Sequence, residues 1–183
     1  MKITAIIGSL RRGNTYTMVE AACNELSGCD IIPYHLKNLS ISPCNGCLKC
    51  DANKKCYMDD DMDKVINDIL SSEGLILGTP ARWSLLSGEL KIFFDRLNPL
   101  AVPDLLKGKK AIIFSVGQSK IYDTASIESA AKSIVSFCEN AGIEVIETVL
   151  AHSCLNSDDL VVNNPDAITA CKEAAKKLYR ILL

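Results

Sequence analysis

The chain has 183 residues, which is enough for one domain with a complete hydrophobic core. Its 20 basic and 22 acidic residues nearly balance, and this argues against a nucleic-acid-binding surface. The sequence contains neither a signal-peptide pattern nor an apolar run near the roughly 18 residues of a membrane span. Nine cysteines in such a chain favour a reducing environment and metal or redox chemistry over a disulfide framework. We therefore expect a cytoplasmic protein that binds neither nucleic acid nor membrane.

Strand and helix patterns alternate along the whole chain. Continuous apolar runs predict strands that are buried on both faces, and the amphipathic segments between them predict helices. The predicted strands are residues 3–7, 30–36, 74–78, 110–116 and 143–150. The predicted helices are residues 14–26, 62–70, 89–97, 126–140 and 165–183. Pro33 interrupts the second strand, so this strand is expected near an edge of the sheet.

This alternation predicts an α/β fold in which a five-stranded parallel sheet carries helices on both faces. No linker or repeat divides the chain, so residues 1–183 are predicted to form a single domain. Ligands of such sheets bind outside the carboxyl ends of the strands. The loops after the first, third and fourth strands are therefore candidate ligand loops, together with the long loop after the second strand.

The long loop, residues 37–60, contains the most distinctive motif of the chain. It holds four cysteines in the pattern C-x2-C-x2-C-x5-C, namely Cys44, Cys47, Cys50 and Cys56. Four thiolates at this spacing can converge on one soft metal centre such as an iron–sulfur cluster. A tetrahedral zinc site uses the same ligands, and disulfides or free thiols are the remaining interpretations.

The loop after the first strand, residues 8–15, has the composition of an anion site. It opens a helix, so its backbone N–H groups and the helix dipole favour a negative group. Ser9, Asn14 and Thr15 offer neutral donors, and Arg11 offers a charged one. The spacing resembles a nucleotide P-loop, but Asn14 stands where that motif requires lysine. This predicts a terminal phosphate rather than a magnesium-bound triphosphate; the alternative is a polar turn that only caps the helix.

Two further loops complete the candidate site. Residues 79–88 follow the third strand and contain the only tryptophan of the chain, Trp83, beside Arg82. This pairing favours a flat, partly polar ring system as the ligand, although Trp83 could instead fill the core or a subunit interface. Gly117, Gln118 and Ser119 end the fourth strand with small residues that permit close approach of a ligand.

The other cysteines and the two histidines are expected to be mainly structural. Cys23, Cys29, Cys138 and Cys171 lie in or beside predicted helices and should pack as small hydrophobic residues. Cys154 follows the fifth strand and could approach the ligand-bearing edge. His35 and His152 are isolated in sequence, and no Ser-His-Asp set is recognisable, so hydrolase chemistry is not supported.

Segments 8–15, 79–83 and 87–96 resemble the flavodoxin-like NAD(P)H-dependent FMN reductase superfamily over essentially the whole chain. The cysteine motif matches the C-x2-C-x2-C-x4–7-C motif of its iron–sulfur flavoprotein branch. The resemblance implies a three-layer sandwich with strand order 2-1-3-4-5. It also implies FMN, a [4Fe–4S] cluster on the four cysteines, and a homodimer or homotetramer.

The resemblance further implies which residues hold the flavin. The FMN phosphate would be bound by Ser9, Arg11, Gly13, Asn14 and Thr15. The isoalloxazine ring would be lined by Pro80, Ala81, Arg82, Trp83 and Ser84, with Gly117 nearby. Many relatives carry tyrosine where Arg82 stands, and a cation there would favour an anionic reduced flavin.

The predicted function is electron transfer between ferredoxin or NAD(P)H and a small acceptor such as oxygen, peroxide or a quinone-like molecule. Lys49, Lys54 and Lys55 could meet an acidic ferredoxin, but Asp51 and the acidic run 59–61 favour a mixed, solvated surface. Two alternatives stay open. One is a cluster-free NAD(P)H-dependent FMN or quinone reductase with a lid or zinc-stabilised loop, and the other is a thiol-based redox sensor.

Overall fold

A computed structural model describes residues 1–53, 55–121, 123–156 and 159–183. Its centre is a five-stranded parallel sheet with the order β2-β1-β3-β4-β5, as the resemblance implied. The strands are β1 (Lys2–Ile7), β2 (Asp30–His35), β3 (Gly74–Pro80), β4 (Lys110–Val116) and β5 (Glu144–Ala151). β2 lies at one edge, as Pro33 predicted. β3 runs to Pro80, two residues beyond the predicted end, so it delivers the third-strand loop directly to the sheet edge.

The helices are α1 (Asn14–Glu25), α2 (Lys49–Asn53), α3 (Met62–Ser71), α4 (Gly88–Asp95), α5 (Asn98–Ala101), α6 (Ala125–Asn140), α7 (Asp159–Asn163) and α8 (Pro165–Leu182). A 3-10 turn covers Leu36–Asn38. The short helices α2, α5 and α7 were not predicted, because four or five residues are too few to show a helical period. Among the described residues, no helix is long and apolar enough to cross a membrane.

Two hydrophobic cores lie on opposite faces of the sheet and make the three layers. One core packs α3, α4 and α6 against the sheet through residues such as Val65, Phe93 and Ile134. The other packs α1 and α8 through residues such as Val19 and Leu178. Because the strands are buried on both faces, their apolar residues run without alternation, as the sequence pattern indicated.

Candidate functional site

A cavity of about 360 Å³ lies outside the carboxyl ends of the central strands. This volume is within the range of about 300–1,000 Å³ that is usual for small-molecule sites. Every residue predicted to bind the flavin lines this cavity: Ser9, Arg11, Gly13, Asn14, Thr15, Pro80, Ala81, Arg82, Trp83, Ser84 and Gly117. The fold therefore brings three loops that are far apart in sequence to one site.

The amino terminus of α1 forms one wall of the cavity. The helix starts at Asn14 after Gly13, and no side chain within the described part of the protein caps its first turn. Its first turn also contains no acidic residue. The free N–H groups and the positive end of the helix dipole are thus available to an anion.

Two residues from neighbouring elements hold the first-strand loop in place. Nε2 of His35 donates to the carbonyl of Ser9 at 2.5 Å, and Oγ of Ser87 donates to the carbonyl of Gly8 at 2.5 Å. Within the loop, Oγ of Ser9 accepts from the backbone N–H of Arg11 at 3.1 Å. His35 and Ser87 are therefore positioning residues for the loop, and His35 has the structural role that was expected.

Asn14 makes contacts that the sequence did not reveal. Its Nδ2 donates to the carbonyl of Asn156 at 2.7 Å, and its Oδ1 accepts from the N–H of Leu160 at 3.1 Å. These bonds connect the start of α1 to a segment about 140 residues away. Asn14 therefore lines the cavity while its amide also shapes it.

The third-strand loop forms a tight turn at the mouth of the cavity. Arg82 and Leu85 exchange two backbone hydrogen bonds, of 2.8 and 3.0 Å. Between them, Trp83 and Ser84 have left-handed φ angles of 49° and 63°, as in a type I′ turn. The Trp83 side chain is 98% exposed, so the interpretation that it fills the core is wrong. A large apolar ring on strained backbone at a cavity rim is typical of a functional turn.

The charge of the cavity favours an anionic ligand. Arg11 and Arg82 are both among the lining residues, and the described lining residues include no aspartate or glutamate. Arg12 differs, because its guanidinium packs over the ring of Tyr16 at 5.1 Å from the centroid. Arg11 and Arg82 are thus the cations that face the cavity.

Several lining residues were not named as ligands by the sequence reasoning. They are Val116, Gln118, Ser119, Ser126, Cys154 and Leu155. Gln118 and Ser119 could have been found from the small-residue loop, whereas Ser126 and Leu155 carry no sequence signal. Cys154 approaches the ligand-bearing edge as suggested, and burial raises its pKa to about 11. It is therefore a neutral thiol at pH 7 and not a reactive thiolate.

Gly117 is required by packing as well as by the ligand cavity. A Cβ atom at this position would meet Cγ1 of Ile127 at 2.9 Å and Cβ of Ala81 at 3.3 Å. The fourth-strand loop consequently passes directly against α6. This close approach explains why glycine follows β4.

The four motif cysteines line a second, smaller cavity of about 40 Å³. Left-handed φ angles at Gly46 (68°) and Leu48 (57°) turn the chain between them. Cys44 and Cys47 are exposed, whereas Cys50 and Cys56 are half-buried. Residues Arg96, Asn98 and Pro99, from the junction of α4 and α5, form the opposite wall. Across the described ranges, no three His, Cys, Asp or Glu side chains are placed to share a single metal ion.

A buried ion pair attaches the cysteine loop to the body of the protein. Asp60 accepts from Nη1 and Nη2 of Arg96 at 2.7 and 3.0 Å, and from the backbone N–H groups of Ser42 and Met62 at 3.0 and 3.1 Å. Burial by itself would raise the pKa of Asp60, but these hydrogen bonds lower it below the ordinary value. Asp61 adds a second tether, because it accepts from the N–H of Ser40 at 2.6 Å. The acidic run before α3 thus anchors the loop as well as placing charge near a helix start.

The lysines near the motif belong to a mixed surface. Nζ of Lys49 lies over the ring of Tyr57 at 4.9 Å, and Lys55 pairs with Asp63 at 3.6 Å. Lys54, the third predicted lysine, lies outside the described residues. These contacts agree with the expected mixed, solvated surface.

The four cysteines predicted as small hydrophobic residues pack in that way. Cys138 and Cys171 are fully buried in the two cores, and burial raises the pKa of each to about 12. Cys23 and Cys29 are partly buried against the core beside α1. These residues are neutral thiols at physiological pH.

Comparison with known proteins decides the family. The family model of the NADPH-dependent FMN reductases matches residues 1–152. The chain belongs to this family.

Relatives of this family member include several iron–sulfur flavoproteins. One from Methanocaldococcus jannaschii is 33% identical over 123 residues, which is 66% of this chain and 64% of that protein. Another, from Archaeoglobus fulgidus, is 36% identical over 112 residues, which is 60% of this chain and 51% of that protein. The chain thus spans less than two thirds of the length of these relatives. The matches confirm the predicted resemblance to the iron–sulfur flavoprotein branch.

Solved structures confirm the flavodoxin-like fold of this family member. The NAD(P)H:quinone oxidoreductase from Methanothermobacter marburgensis superposes with a TM-score of 0.77 at 16% identity, covering 97% of this chain and 96% of that one. An FMN-dependent NADH-azoreductase from Bacillus anthracis, solved in complex with FMN, gives 0.72 at 13% identity and covers 97% and 99% of the two chains. At these identities the likeness shows the fold alone.

Proposed function

We propose that this chain is an FMN-dependent oxidoreductase that also carries a [4Fe–4S] cluster. It would pass electrons between ferredoxin or NAD(P)H and a small acceptor such as oxygen, peroxide or a quinone-like molecule. One observation carries the proposal: every residue that the family resemblance assigns to FMN lines the same cavity at the sheet edge. The family model supports FMN and a nicotinamide donor, and the names of the sequence relatives support the cluster.

The proposed flavin site has a polar part for the phosphate and a flat part for the ring. The FMN phosphate would lie at the uncapped start of α1, where Ser9, Arg11 and Thr15 face the cavity. The isoalloxazine ring would lie between the 80–84 turn and Gly117, with the exposed ring of Trp83 at its side. Arg11 would bind the phosphate by a charge-assisted hydrogen bond, and Arg82 would stabilise negative charge on the ring.

The cysteine cavity has a donor set that suits an anionic cluster. Four thiols line it, Nδ2 of Asn98 lies 3.3 Å from Sγ of Cys50, and Nε of the buried Arg96 has no hydrogen-bond partner. A cluster is larger than one ion, so its four ligands stand further apart than those of zinc.

The chain's own residues then bind, orient and shield the two groups. When bound, FMN exchanges electrons in pairs or singly, and an iron–sulfur cluster carries single electrons. His35 and Ser87 orient the phosphate loop, and the Arg96–Asp60 pair orients the cysteine loop. Because electron transfer of this kind needs no general acid or base, the absence of a catalytic triad in the sequence is consistent with it.

The proposal includes a homodimer or homotetramer in the cytoplasm. Large apolar side chains are exposed around the flavin cavity and on its turn: Leu10 (51%), Trp83 (98%), Leu85 (59%) and Leu155 (61%). Exposed apolar groups of this size favour burial against another protein surface. Sedimentation equilibrium of the FMN-loaded protein tests this part, and a monomer at micromolar concentration would contradict it.

Anaerobic purification with a visible spectrum and metal analysis tests the function. We expect flavin bands, a broad shoulder near roughly 400 nm that bleaches with dithionite, and about four irons with about four sulfides per chain, as a [4Fe–4S] cluster requires. Flavin with zinc, or flavin without any metal, would support the cluster-free reductase. Absence of both flavin and iron would support the thiol sensor.

Two cysteine variants then test the location of the cluster. Cys56→Ala should lose iron and sulfide but keep FMN, because the two cavities share no lining residue. Cys154→Ala is the matched control, since Cys154 lines the flavin cavity and should leave the iron content unchanged. Loss of iron in the control and not in Cys56→Ala would refute the assignment.

A further inference from the structure

The junction between α4 and α5 presents two side-chain donors to the cysteine cavity. Arg96 follows the last residue of α4, and Asn98 is the first residue of α5. Both residues line the cavity together with the four thiols. Nδ2 of Asn98 lies 3.3 Å from Sγ of Cys50 and 3.1 Å from Oδ1 of Asp51.

Arg96 has one donor without a partner, although it is almost completely buried. Its side chain is fully inaccessible, and Nη1 and Nη2 are used by Asp60 and by the carbonyl of Ser42 at 2.7 Å. Among the buried side-chain nitrogen and oxygen atoms of the described residues, Nε of Arg96 is the one without a hydrogen-bond partner. A buried donor without a partner is costly, so such a group calls for an acceptor that binds there.

The soft acceptors that share a cavity with this guanidinium are the motif thiols. Cys56 lines the same cavity as Arg96. Arginine keeps its proton in proteins, so the Arg96 guanidinium is a permanent cation. A permanent cation in a site of low dielectric favours negative charge on the sulfur atoms beside it.

We infer that Arg96 and Asn98 donate hydrogen bonds to sulfur atoms of the cluster and thereby raise its reduction potential. Nε of Arg96 donates to the sulfur of Cys56 or to an adjacent sulfide. Nδ2 of Asn98 donates to the sulfur of Cys50. The inference rests on the proposed function, because it assigns these residues to the cluster held by the four cysteines. Reduction adds one electron to the cluster, so donors and cations near its sulfur atoms stabilise the reduced state more than the oxidised state.

Both residues belong to the α4–α5 junction of the helical layer and not to the cysteine loop. Arg96 is anchored by Asp60, and Leu97, between Arg96 and Asn98, is buried in the core beside α4. Arg96 and Asn98 therefore lie in the wall of the cavity and not on its loop. This distinguishes them from the exposed lysines near the motif, whose side chains lie on the surface.

Redox titration of the reconstituted protein, followed by the electron paramagnetic resonance of the reduced cluster, tests the inference. Arg96→Lys keeps the charge but removes the planar guanidinium, and it should lower the equilibrium constant for one-electron reduction about tenfold, or about 59 mV. Asn98→Ala should lower the potential in the same direction. Matched controls are Arg180→Lys on α8 and Asn67→Ala on α3, neither of which lines the cysteine cavity, and both should keep the wild-type potential.

The outcomes separate this inference from the proposed function. Wild-type protein that takes up no iron and sulfide would refute the proposed cluster itself. Wild-type protein that holds a cluster, with unchanged potentials in both Arg96→Lys and Asn98→Ala, would refute only the role of the two donors. If Arg96→Lys does not retain the cluster, Asn98→Ala decides: a lowered potential supports the inference and an unchanged one overturns it.

Discussion

Arg96 and Asp60 form a buried, two-pronged ion pair, with Nη1–Oδ2 and Nη2–Oδ1 distances of 2.7 and 3.0 Å. Their side chains are 0% and 8% exposed. Arg96 also binds the carbonyl of Ser42, while Asp60 binds the N–H of the same residue. Because Ser42 precedes the cysteine motif and Asp60 follows it, one pair closes both ends of the loop.

Asp60→Asn should destabilise the protein by about 3 kcal/mol, because it leaves the charge of Arg96 buried without its partner. Urea unfolding at pH 7 measures this. Asp61→Asn is the control, since Asp61 makes a single hydrogen bond to the N–H of Ser40 on the exposed side of the loop. We expect the control to change the free energy of unfolding by less than about 1 kcal/mol. Equal effects of the two substitutions would contradict the central role of Asp60.

The contribution of Asp60 should disappear in acid. Its hydrogen bonds lower its folded-state pKa, so its stabilising effect is fully present above the unfolded-state value of about 3.9. That effect is lost as the pH falls below about 4 and through the folded-state pKa. The difference in unfolding free energy between wild type and Asp60→Asn should therefore be constant from about pH 5 to 8 and shrink below pH 4. A difference in unfolding free energy that persists at pH 2 would mean that the ionised carboxylate of Asp60 is not its cause.

Ser84→Gly should stabilise the protein by about 1 kcal/mol, because glycine adopts the left-handed φ of 63° without strain. Ser87→Gly is the same substitution at a site where the hydroxyl caps α4 and binds the carbonyl of Gly8. That variant should lose about 1–3 kcal/mol, since it leaves buried polar groups without partners. Thermal unfolding of both variants without flavin measures the contrast, and a loss of stability in Ser84→Gly would be evidence against a strained turn.

Arg11→Gln should weaken FMN binding about tenfold but leave riboflavin binding nearly unchanged. The arginine faces the proposed phosphate position, and riboflavin has no phosphate. Arg12→Gln is the matched control, because Arg12 packs on Tyr16 and does not line the cavity. Titration of both flavins by fluorescence quenching gives the ratio of affinities. Equal losses for FMN and riboflavin in Arg11→Gln would mean that the arginine does not contact the phosphate.

Arg82→Gln should weaken the preference for an anionic reduced flavin. The flavin potential falls by about 59 mV per pH unit where two protons accompany two electrons, and by about 30 mV where one does. The pH at which the slope changes should rise by about 0.5–1 unit in the variant, as expected for loss of a partly exposed cation. Anaerobic titrations at several pH values, followed at the flavin absorbance, give this break point. An unchanged break point would mean that Arg82 does not act on the ring.

Features that depend on neighbouring residues could be predicted from the sequence. The apolar runs around Ile6, Ile76 and Ile113 predicted the strands, because burial on both faces leaves no alternation to misread. Pro33 correctly placed its strand at an edge of the sheet. The four cysteines are close in sequence and line one cavity, but no three of them are placed to share a metal ion among the described residues, so the metal site stays a prediction.

Features that depend on distant residues could not be predicted in this way. The bonds of Asn14 reach Asn156 and Leu160, and those of Arg96 reach Asp60, across separations for which the sequence holds no pattern. Trp83 shows a different limit, because composition could not distinguish a core ring from one that is 98% exposed. Short helices such as α5 were also not predicted, and Asn98 in the wall of the cysteine cavity belongs to α5.

The sequence by itself determined the order of strands and helices along the chain, the cysteine motif and the family resemblance. Each of these depends on the spacing of residues that are close in sequence. Only the tertiary structure decided which charges are buried. It joined two ends of the cysteine loop on one arginine and left Nε of that arginine facing no partner within the described residues. The physical reason is that burial and hydrogen bonding are set by which elements pack together, and packing brings together residues that are distant along the chain.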